Sequence, residues 1–369
     1  MKISLLRENF YKGVAITSKA VSNKASIPSL SNILIKTEEN EVKLTASDLF
    51  VTISVWVSAK VEEQGSITVP AKLLNSFLSQ ITEEKIDCIL DAENFNVKTG
   101  KVNSTFSTIS ADQFPSIEGF DSEEVISIKS EDLLRAMQSL QFVPASTESR
   151  PVLTGILFNI SGNVLTLAVT DGFRMAEYKI SLDKPVSKDY SFILPARSTI
   201  DIIKAFASES DVIDMSPISS KNAVSFKVPH MEAQIRLIEG DFPNYKAILP
   251  SEFATKVTVS KDEIFNAIKL ASIFAKDYDN MVKLIIKDGK IVVKSQPTES
   301  GSNSIDVQAN IEGSDIEIAF NAKYINDFLS NAAKENIIFQ ANDPFKPAGF
   351  KVESFDGYIY IVMPMKANW

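Results

Sequence analysis

The chain of 369 residues contains one cysteine and one histidine. A lone thiol, Cys88, excludes an intrachain disulfide and a cysteine-based zinc cluster. It lies in "EKIDCILDA" and reads as a buried strand residue. With His230 as the single imidazole, no transition-metal site is expected, and no other cofactor either. His230, in "KVPHMEA", reads as a surface or packed ring on a strand or turn rather than as a general base. Also missing are a GxSxG elbow, an HExxH helix and a glycine-rich phosphate loop. No apolar run approaches the ~18 residues that a membrane span needs. In "MKISLLRENFYKG" charges follow a short apolar run at once, unlike a signal peptide. The expectation is a cytoplasmic protein with no membrane partner.

What is present is a folding composition. Apolar residues make up 44% and charged residues 23%, a globular rather than a disordered balance. The length suits two or three domains. Net charge is −9, and that sum alone argues against nucleic acid as a partner. Its distribution argues differently.

Three segments repeat: "VPAKLLNSFLSQ" from Val69, "LPARSTIDIIKA" from Leu194 and "FNAKYINDFLSN" from Phe320. Each opens a helix with Pro or Asn, then Ala, then a basic residue. Proline is tolerated there because its missing N–H has no helical partner. "LSNILIKTEENEVKLTASD" (Leu30–Asp48) aligns without gaps on "LTGILFNISGNVLTLAVTD" (Leu153–Asp171). "QFP", "DFP" and "VMP" recur at Pro115, Pro243 and Pro364. The sequence therefore divides into 1–122, 123–250 and 251–369, three copies of one unit. Each copy carries a net charge of −3.

Alternating runs such as "LTLAV", "MEAQIRLI" and "YIYIVM" read as strands, and "KLIIKDGKIVVK" as a hairpin turning at "KDG". Two helices recur per unit: about Glu8–Val21 and Ala71–Ile81, Glu131–Phe142 and Ala196–Ala207, Lys261–Ala275 and Ala322–Ala333. The fold class is α+β, two helices packed on antiparallel sheets in each unit. Leu73, Leu74, Phe77, Leu78 and Ile81 form one core stripe. Ile200, Ile203 and Phe206 form a second; Tyr324, Ile325, Phe328 and Leu329 form a third.

The other helix faces carry Lys12, Lys19, Lys72, Arg135, Arg197, Lys204, Lys261, Lys269 and Lys323. Acids such as Glu131, Asp132, Asp262 and Glu263 concentrate in first turns, where the helix dipole favours them. Any one of these cations is either an ordinary solvated charge or part of a shared positive surface. If the helices face a common space, that space is positive while the outside is acidic. It would hold a phosphate backbone without reading sequence.

"VTDGFRM", Val169–Met175, resembles a catalytic loop in its Asp, Gly and Arg. Beside "FPNYKAILP", a terminal "YIVMPMK" and the three repeats, it has another meaning. Together these residues resemble the bacterial sliding clamps, the beta subunits of DNA polymerase III, over the whole chain. The resemblance implies a head-to-tail homodimer whose six domains ring double-stranded DNA, helices lining the hole and sheets forming the wall. The basic faces above would then line the bore, joined by the loop cations Lys24 and Arg150, which otherwise are plain solvated charges. Sliding without sequence readout would follow.

The resemblance also implies a pocket for short linear motifs of the polymerase III catalytic subunit, the clamp loader and other replication and repair proteins. Carried over by position, it comprises Leu153, Thr170, Gly172, Phe173, Arg174 and Met175, then Pro243, Ile248 and Pro347. The terminal segment Ile361, Val362, Met363, Pro364 and Met365 completes it. Apolar and methionine side chains would cup Leu and Phe anchors. Thr170, the Gly172 backbone and Arg174 would fix register, while Asp171 orders the turn. An edge strand near Phe106 and Ile109 would meet Ile273 and Phe274 of the other chain at the dimer seam. Ile273 and Phe274 have a second reading, as core of their own helix.

The sequence departs from the family at four places. Phe173 stands where His is common, Ala247 where Arg is frequent, and Asp279 where an aromatic often lines the pocket, with Tyr278 beside it. Ala367, Asn368 and Trp369 extend past the usual end, and Trp369 either covers the pocket mouth or hangs free. Two other function classes remain: a hydrolase built on Asp171, and a repeat scaffold that binds only protein.

Overall fold

The computed structural model describes residues 1–22, 27–115, 124–147, 149–250, 252–276, 279–297, 301–355 and 357–369. Among them lie helices α1 (Arg7–Thr17), α2 (Ala71–Gln80), α3 (Ser130–Leu140), α4 (Ala196–Ala207), α5 (Lys261–Phe274) and α6 (Ala322–Asn331). These are the six helices that the apolar periodicity predicts, with some ends shortened. α1 was expected to reach Val21; it stops at Thr17 and tightens into a 3-10 turn, Ser18–Ala20. There the Thr17 hydroxyl donates to the Gly13 carbonyl at 2.8 Å and the Ser18 hydroxyl to Val14 at 2.6 Å. Such back-bonds compete with the regular helix ladder. Gly13 itself is required by close approach: a Cβ there would lie 2.9 Å from Leu44 and Val57.

The repeated helix openings have one geometry. Pro70, Pro195 and Asn321 each end a strand, and the following Ala starts a helix. Asn321 caps α6, its side chain accepting from the Lys323 N–H at 2.9 Å. The three core stripes are buried, apart from the half-buried Phe77 and Tyr324 and the exposed Leu73. Leu73 is 57% exposed while Leu74 is fully buried, because adjacent helical positions stand about 100° apart and only one can face inward.

Two compact units share the chain: Met1–Leu134 with Arg197–Leu237, and Arg135–Ala196 with Ile238–Trp369. The first holds two antiparallel sheets. One runs in the order Lys60–Glu63, Lys2–Leu6, Lys85–Asp91, Asn94–Thr99, Val102–Ser107. The other has eight strands, and in it Met231–Arg236 pairs with Val51–Ser58. The second unit holds a twelve-stranded sheet, in which Tyr358–Val362 pairs with Arg174–Ser181. In both units a strand of one repeat bonds to a strand of an earlier repeat, so the sheets run across the repeat boundaries. Residues 116–123 and 251, where the sequence suggests those boundaries, lie outside the described set.

The "KDG" hairpin joins Met281–Lys287 to Lys290–Ser295. Asp288 (φ 53°) and Gly289 (φ 74°) are both left-handed, the signature of a type I′ turn. Cys88 is fully buried in its strand, and burial raises its thiol pKa well above the usual value.

Candidate functional site

The loop Asp171–Phe173 links strands Val164–Thr170 and Arg174–Ser181. Asp171 Oδ1 accepts from the N–H groups of Phe173 (2.9 Å) and Arg174 (3.0 Å). Thr170 Oγ1 donates to the Arg174 carbonyl at 2.8 Å and accepts the Gly172 N–H at 3.1 Å. Gly172 takes φ 96° with open space where a Cβ would point, so the demand for glycine is purely one of backbone. Asp171 thus orders the turn. The Thr170 hydroxyl and the Gly172 N–H are bonded within the loop.

Arg174 is a further correction. It is only 7% exposed. Its Nε donates to Asp171 at 3.0 Å, one terminal nitrogen to Asp327 at 2.7 Å and the other to the Phe142 carbonyl at 2.7 Å. Its guanidinium also stacks 4.6 Å from the Tyr324 ring centroid. The cause is the pleat: successive strand residues point to opposite faces. Arg174 joins the aromatic side with Phe142, Tyr324 and Tyr360, while Met175 turns the other way. The guanidinium is therefore a structural cation, not a polar edge of the cup.

On Met175's face, pairing aligns Thr170, Met175 and Ile361 in one row. Met175, Ile361 and Ala168 form a buried cluster with Tyr245, flanked by Leu157, Phe242, Leu249, Phe253 and Ile359. The Tyr245 hydroxyl donates to Glu177 at 2.8 Å, and the segment around it crosses this face. Burial, then the bond to Glu177, raises the phenol pKa, so Tyr245 remains the donor. Around the cluster stand exposed apolar groups: Phe173 (63%), Ile248 (46%) and Met363 (38%), with Pro243 also exposed. Met363 is fixed beside Phe173, its N–H donating to the Phe173 carbonyl at 2.9 Å.

The remaining expected pocket residues have environments of their own. Val362 pairs with Arg174 and is fully buried on the opposite face from Ile361. Leu153 is buried in the 3-10 turn Pro151–Thr154. Pro347 is half-buried just before Ala348, which pairs with Val362. Pro364 and Met365 are half-buried, and the Met365 N–H donates to the Ala319 carbonyl at 2.7 Å. Sequence reasoning missed two residues here: Tyr245 and Phe242 lay in quoted motifs without a role.

The same loop is built twice. In the first unit Asp48 Oδ1 accepts from Phe50 (2.9 Å) and Val51 (2.7 Å), and Ser47 Oγ from Leu49 (3.1 Å). The Phe50 carbonyl accepts the Arg236 N–H at 2.8 Å, as Phe173 accepts that of Met363. Leu49 takes φ 75° where the second copy has Gly172. The floors differ. Thr52 and Gln234 are cross-strand partners where the second copy has Met175 and Ile361. The hydroxyls of Thr45 and Ser54 bond across the first floor at 3.1 Å. The duplication preserved the loop, and an apolar floor is present in the second copy.

Trp369 neither covers the cup nor hangs free. Lys283 bonds to its carbonyl, with the ammonium 4.7 Å from the indole ring centroid. Asp279 is exposed at φ 51°, its carbonyl accepting from Asn321; Ala247 is exposed; Tyr278 lies outside the described residues.

The basic residues separate by environment. Lys19, Lys72, Arg135, Arg150, Arg197, Lys204, Lys269 and Lys323 are exposed. Lys12 is exposed and ion-paired to Glu209 at 2.7 Å, which offsets its charge. Lys269 lies 3.8 Å over the Phe265 ring. Lys261 departs from expectation: half-buried, it donates to the Ala332 carbonyl at 2.7 Å and so caps the end of α6. Lys24 lies outside the described residues. Lys19 sits on the 3-10 turn after α1, not on the α-helix that carries Lys12.

Of the expected seam residues, Ile273 is 60% exposed on α5 near Leu270 (50%), and Phe274 is half-buried. Phe106 is a correction. It is 3% exposed and meets Phe77 edge-on at 5.3 Å, because its strand turns that side chain into the unit's own core. Its strand, Val102–Ser107, is nevertheless the edge of the five-stranded sheet. Ile109 is half-buried and its backbone pairs with Thr68. Among the described residues no group of three or more His, Cys, Asp or Glu is arranged to hold a metal, and no helix is long and apolar enough to cross a membrane.

Residues 1–118, 127–244 and 246–366 match the N-terminal, central and C-terminal domain models of the DNA polymerase III beta subunit. The chain is 29% identical to the beta sliding clamp of Vibrio cholerae over 99% of its own length and 100% of that protein's. It is 26% identical to that of Staphylococcus aureus, covering 99% of each. A solved Pseudomonas aeruginosa clamp bound to griselimycin superposes with a TM-score of 0.94 at 25% identity, covering 100% of both chains. The DNA polymerase III beta subunit from Thermotoga maritima shares the fold at a TM-score of 0.93 and 24% identity, covering 99% of both. With three clamp domains in order along one antiparallel α+β chain, this protein belongs to the DNA polymerase III beta subunit family, the bacterial beta sliding clamps.

Proposed function

We propose that two copies of this chain close head to tail into a ring that encircles double-stranded DNA and holds the polymerase III catalytic subunit to its template. Domain boundaries near residues 122 and 250 belong to this reading, as does a cytoplasmic, non-enzymatic role. Exposed cations on the helices, among them Lys72, Arg197 and Lys323, would face the phosphates. Those contacts need only be weak, since a closed ring retains DNA by topology. Ile273 on α5 and the edge strand Val102–Ser107 would form the seam between chains.

Partner proteins, including the clamp loader and other motif-bearing replication and repair proteins, would dock at the cup above Met175 and Ile361. The observation that carries this is the exposed apolar rim of Phe173, Ile248 and Met363 around a buried apolar floor. An exposed apolar rim of this kind suits the Leu and Phe anchors of a short peptide. The Thr170 hydroxyl and the Arg174 guanidinium are already bonded within the fold, so recognition there would rest on shape and apolar contact more than on them. The test is a polarisation titration of a labelled Gln-Leu-x-Leu-Phe-type peptide on wild type and Met363→Ala. Saturable binding that the substitution weakens is expected; equal binding to both forms would remove Met363 from the site.

A further inference from the structure

The segment Asp241–Ile248 crosses the cup's face with little holding it. Within it Tyr245 alone is fully buried; Phe242 is half-buried and the other six residues are exposed. Tyr245 reaches through the apolar cluster, edge-on to Phe242 at 6.1 Å, to Glu177 on the strand beneath. Glu177 is itself 6% exposed, two residues along the same face from Met175. A buried carboxylate needs partners. Glu177 has two: the Tyr245 hydroxyl at 2.8 Å on one oxygen and Lys179 at 3.1 Å on the other. Pro243 precedes Tyr245 by two residues and Ile248 follows by three, within or beside the 3-10 turn Tyr245–Ile248. The Pro243 carbonyl also accepts the Tyr245 N–H at 2.7 Å.

We infer that Tyr245 and Glu177 are positioning residues for motif binding: their hydrogen bond fixes the segment that presents Pro243 and Ile248 to a partner's peptide. The inference rests on the cup being the docking site. Its physical basis is pre-organisation, since a wall already in place need not be ordered when the peptide arrives. It also gives the tyrosine of "FPNYKAILP" a role distinct from packing, because phenylalanine would fill the same space without the hydroxyl.

The experiment measures peptide affinity by polarisation, and amide exchange at Ala247 and Ile248 without peptide, on four proteins. Tyr245→Phe keeps the ring and loses the bond; affinity should fall about tenfold, the scale of a hydrogen bond to a charged group, and exchange should quicken. Glu177→Leu should do the same. Glu177→Gln retains a neutral acceptor and should recover part of what Glu177→Leu loses, whereas a purely packing role would leave Tyr245→Phe at wild-type affinity. Equal affinity and exchange in wild type and Tyr245→Phe overturn the inference. If wild type itself fails to bind, the docking site is wrong; the exchange data then decide separately whether the bond fixes the segment.

Discussion

The Phe173 carbonyl accepts the N–H of Met363 at 2.9 Å, tying the loop after one repeat's strand to the residue that follows strand Tyr358–Val362. Phe50 and Arg236 make the same bond in the first unit at 2.8 Å. The two loops therefore share a hydrogen-bond frame and differ in what the frame holds.

One difference is conformational. Leu49 occupies the left-handed region that Gly172 occupies in the other copy. For an L-residue with a side chain this costs roughly 1–2 kcal/mol. Leu49→Gly should raise the thermal midpoint of the first unit, and Gly172→Ala should lower that of the second. Scanning calorimetry reads both; a lowered midpoint in Leu49→Gly would contradict the assignment.

Arg174 should behave as a structural cation. Arg174 is buried while its partners Asp171 and Asp327 keep partial solvent exposure, so losing the guanidinium should cost about 1–3 kcal/mol. Arg174→Ala leaves Asp327 and the Phe142 carbonyl without that donor. A large drop in unfolding free energy by denaturant titration is expected. Arg174→Lys should recover little, since an ammonium cannot reproduce the three-way fork.

Charge reversal separates a clamp from a scaffold that binds only protein. Changing Lys72, Arg197 and Lys323 to Glu should weaken DNA binding and flatten its salt dependence by about one unit of slope per lost phosphate contact. Lys261→Met should instead loosen the end of α6 and leave that slope unchanged. DNA affinity indifferent to all three reversals would favour the scaffold.

Phe106 and Ile273 predict opposite readouts. Phe106→Ala empties a core site and should cost about 3–5 kcal/mol of protomer stability. Ile273→Asp should leave the protomer melt nearly unchanged and shift light scattering from dimer towards monomer. A dimer unaffected by Ile273→Asp would move the seam elsewhere.

Much of this was legible in the sequence because it repeats. Helix openings at Ala71, Ala196 and Ala322 and the "KDG" hairpin follow from local chemistry, and the structure places each where expected. Errors arose where a motif was treated as one cluster. "TDGFRM" reads as a single patch, yet the pleat sends Arg174 and Met175 to opposite faces. Phe106 marks the edge strand expected at the seam, but its own side chain points into the core. Lys261 looked like a surface cation because the carbonyl it caps, at Ala332, lies far along the chain. The anchor Tyr245 was invisible for the same reason: its partner Glu177 belongs to a different strand and motif.

Encirclement is the central claim, and topology tests it most directly. The protein is loaded with a clamp loader and ATP onto nicked circular plasmid, and the complex is separated by gel filtration before and after the plasmid is cut once. The account predicts that protein elutes with the circle at salt high enough to screen phosphate contacts and is lost when the DNA becomes linear. Equal retention on circular and linear DNA would contradict a ring that slides.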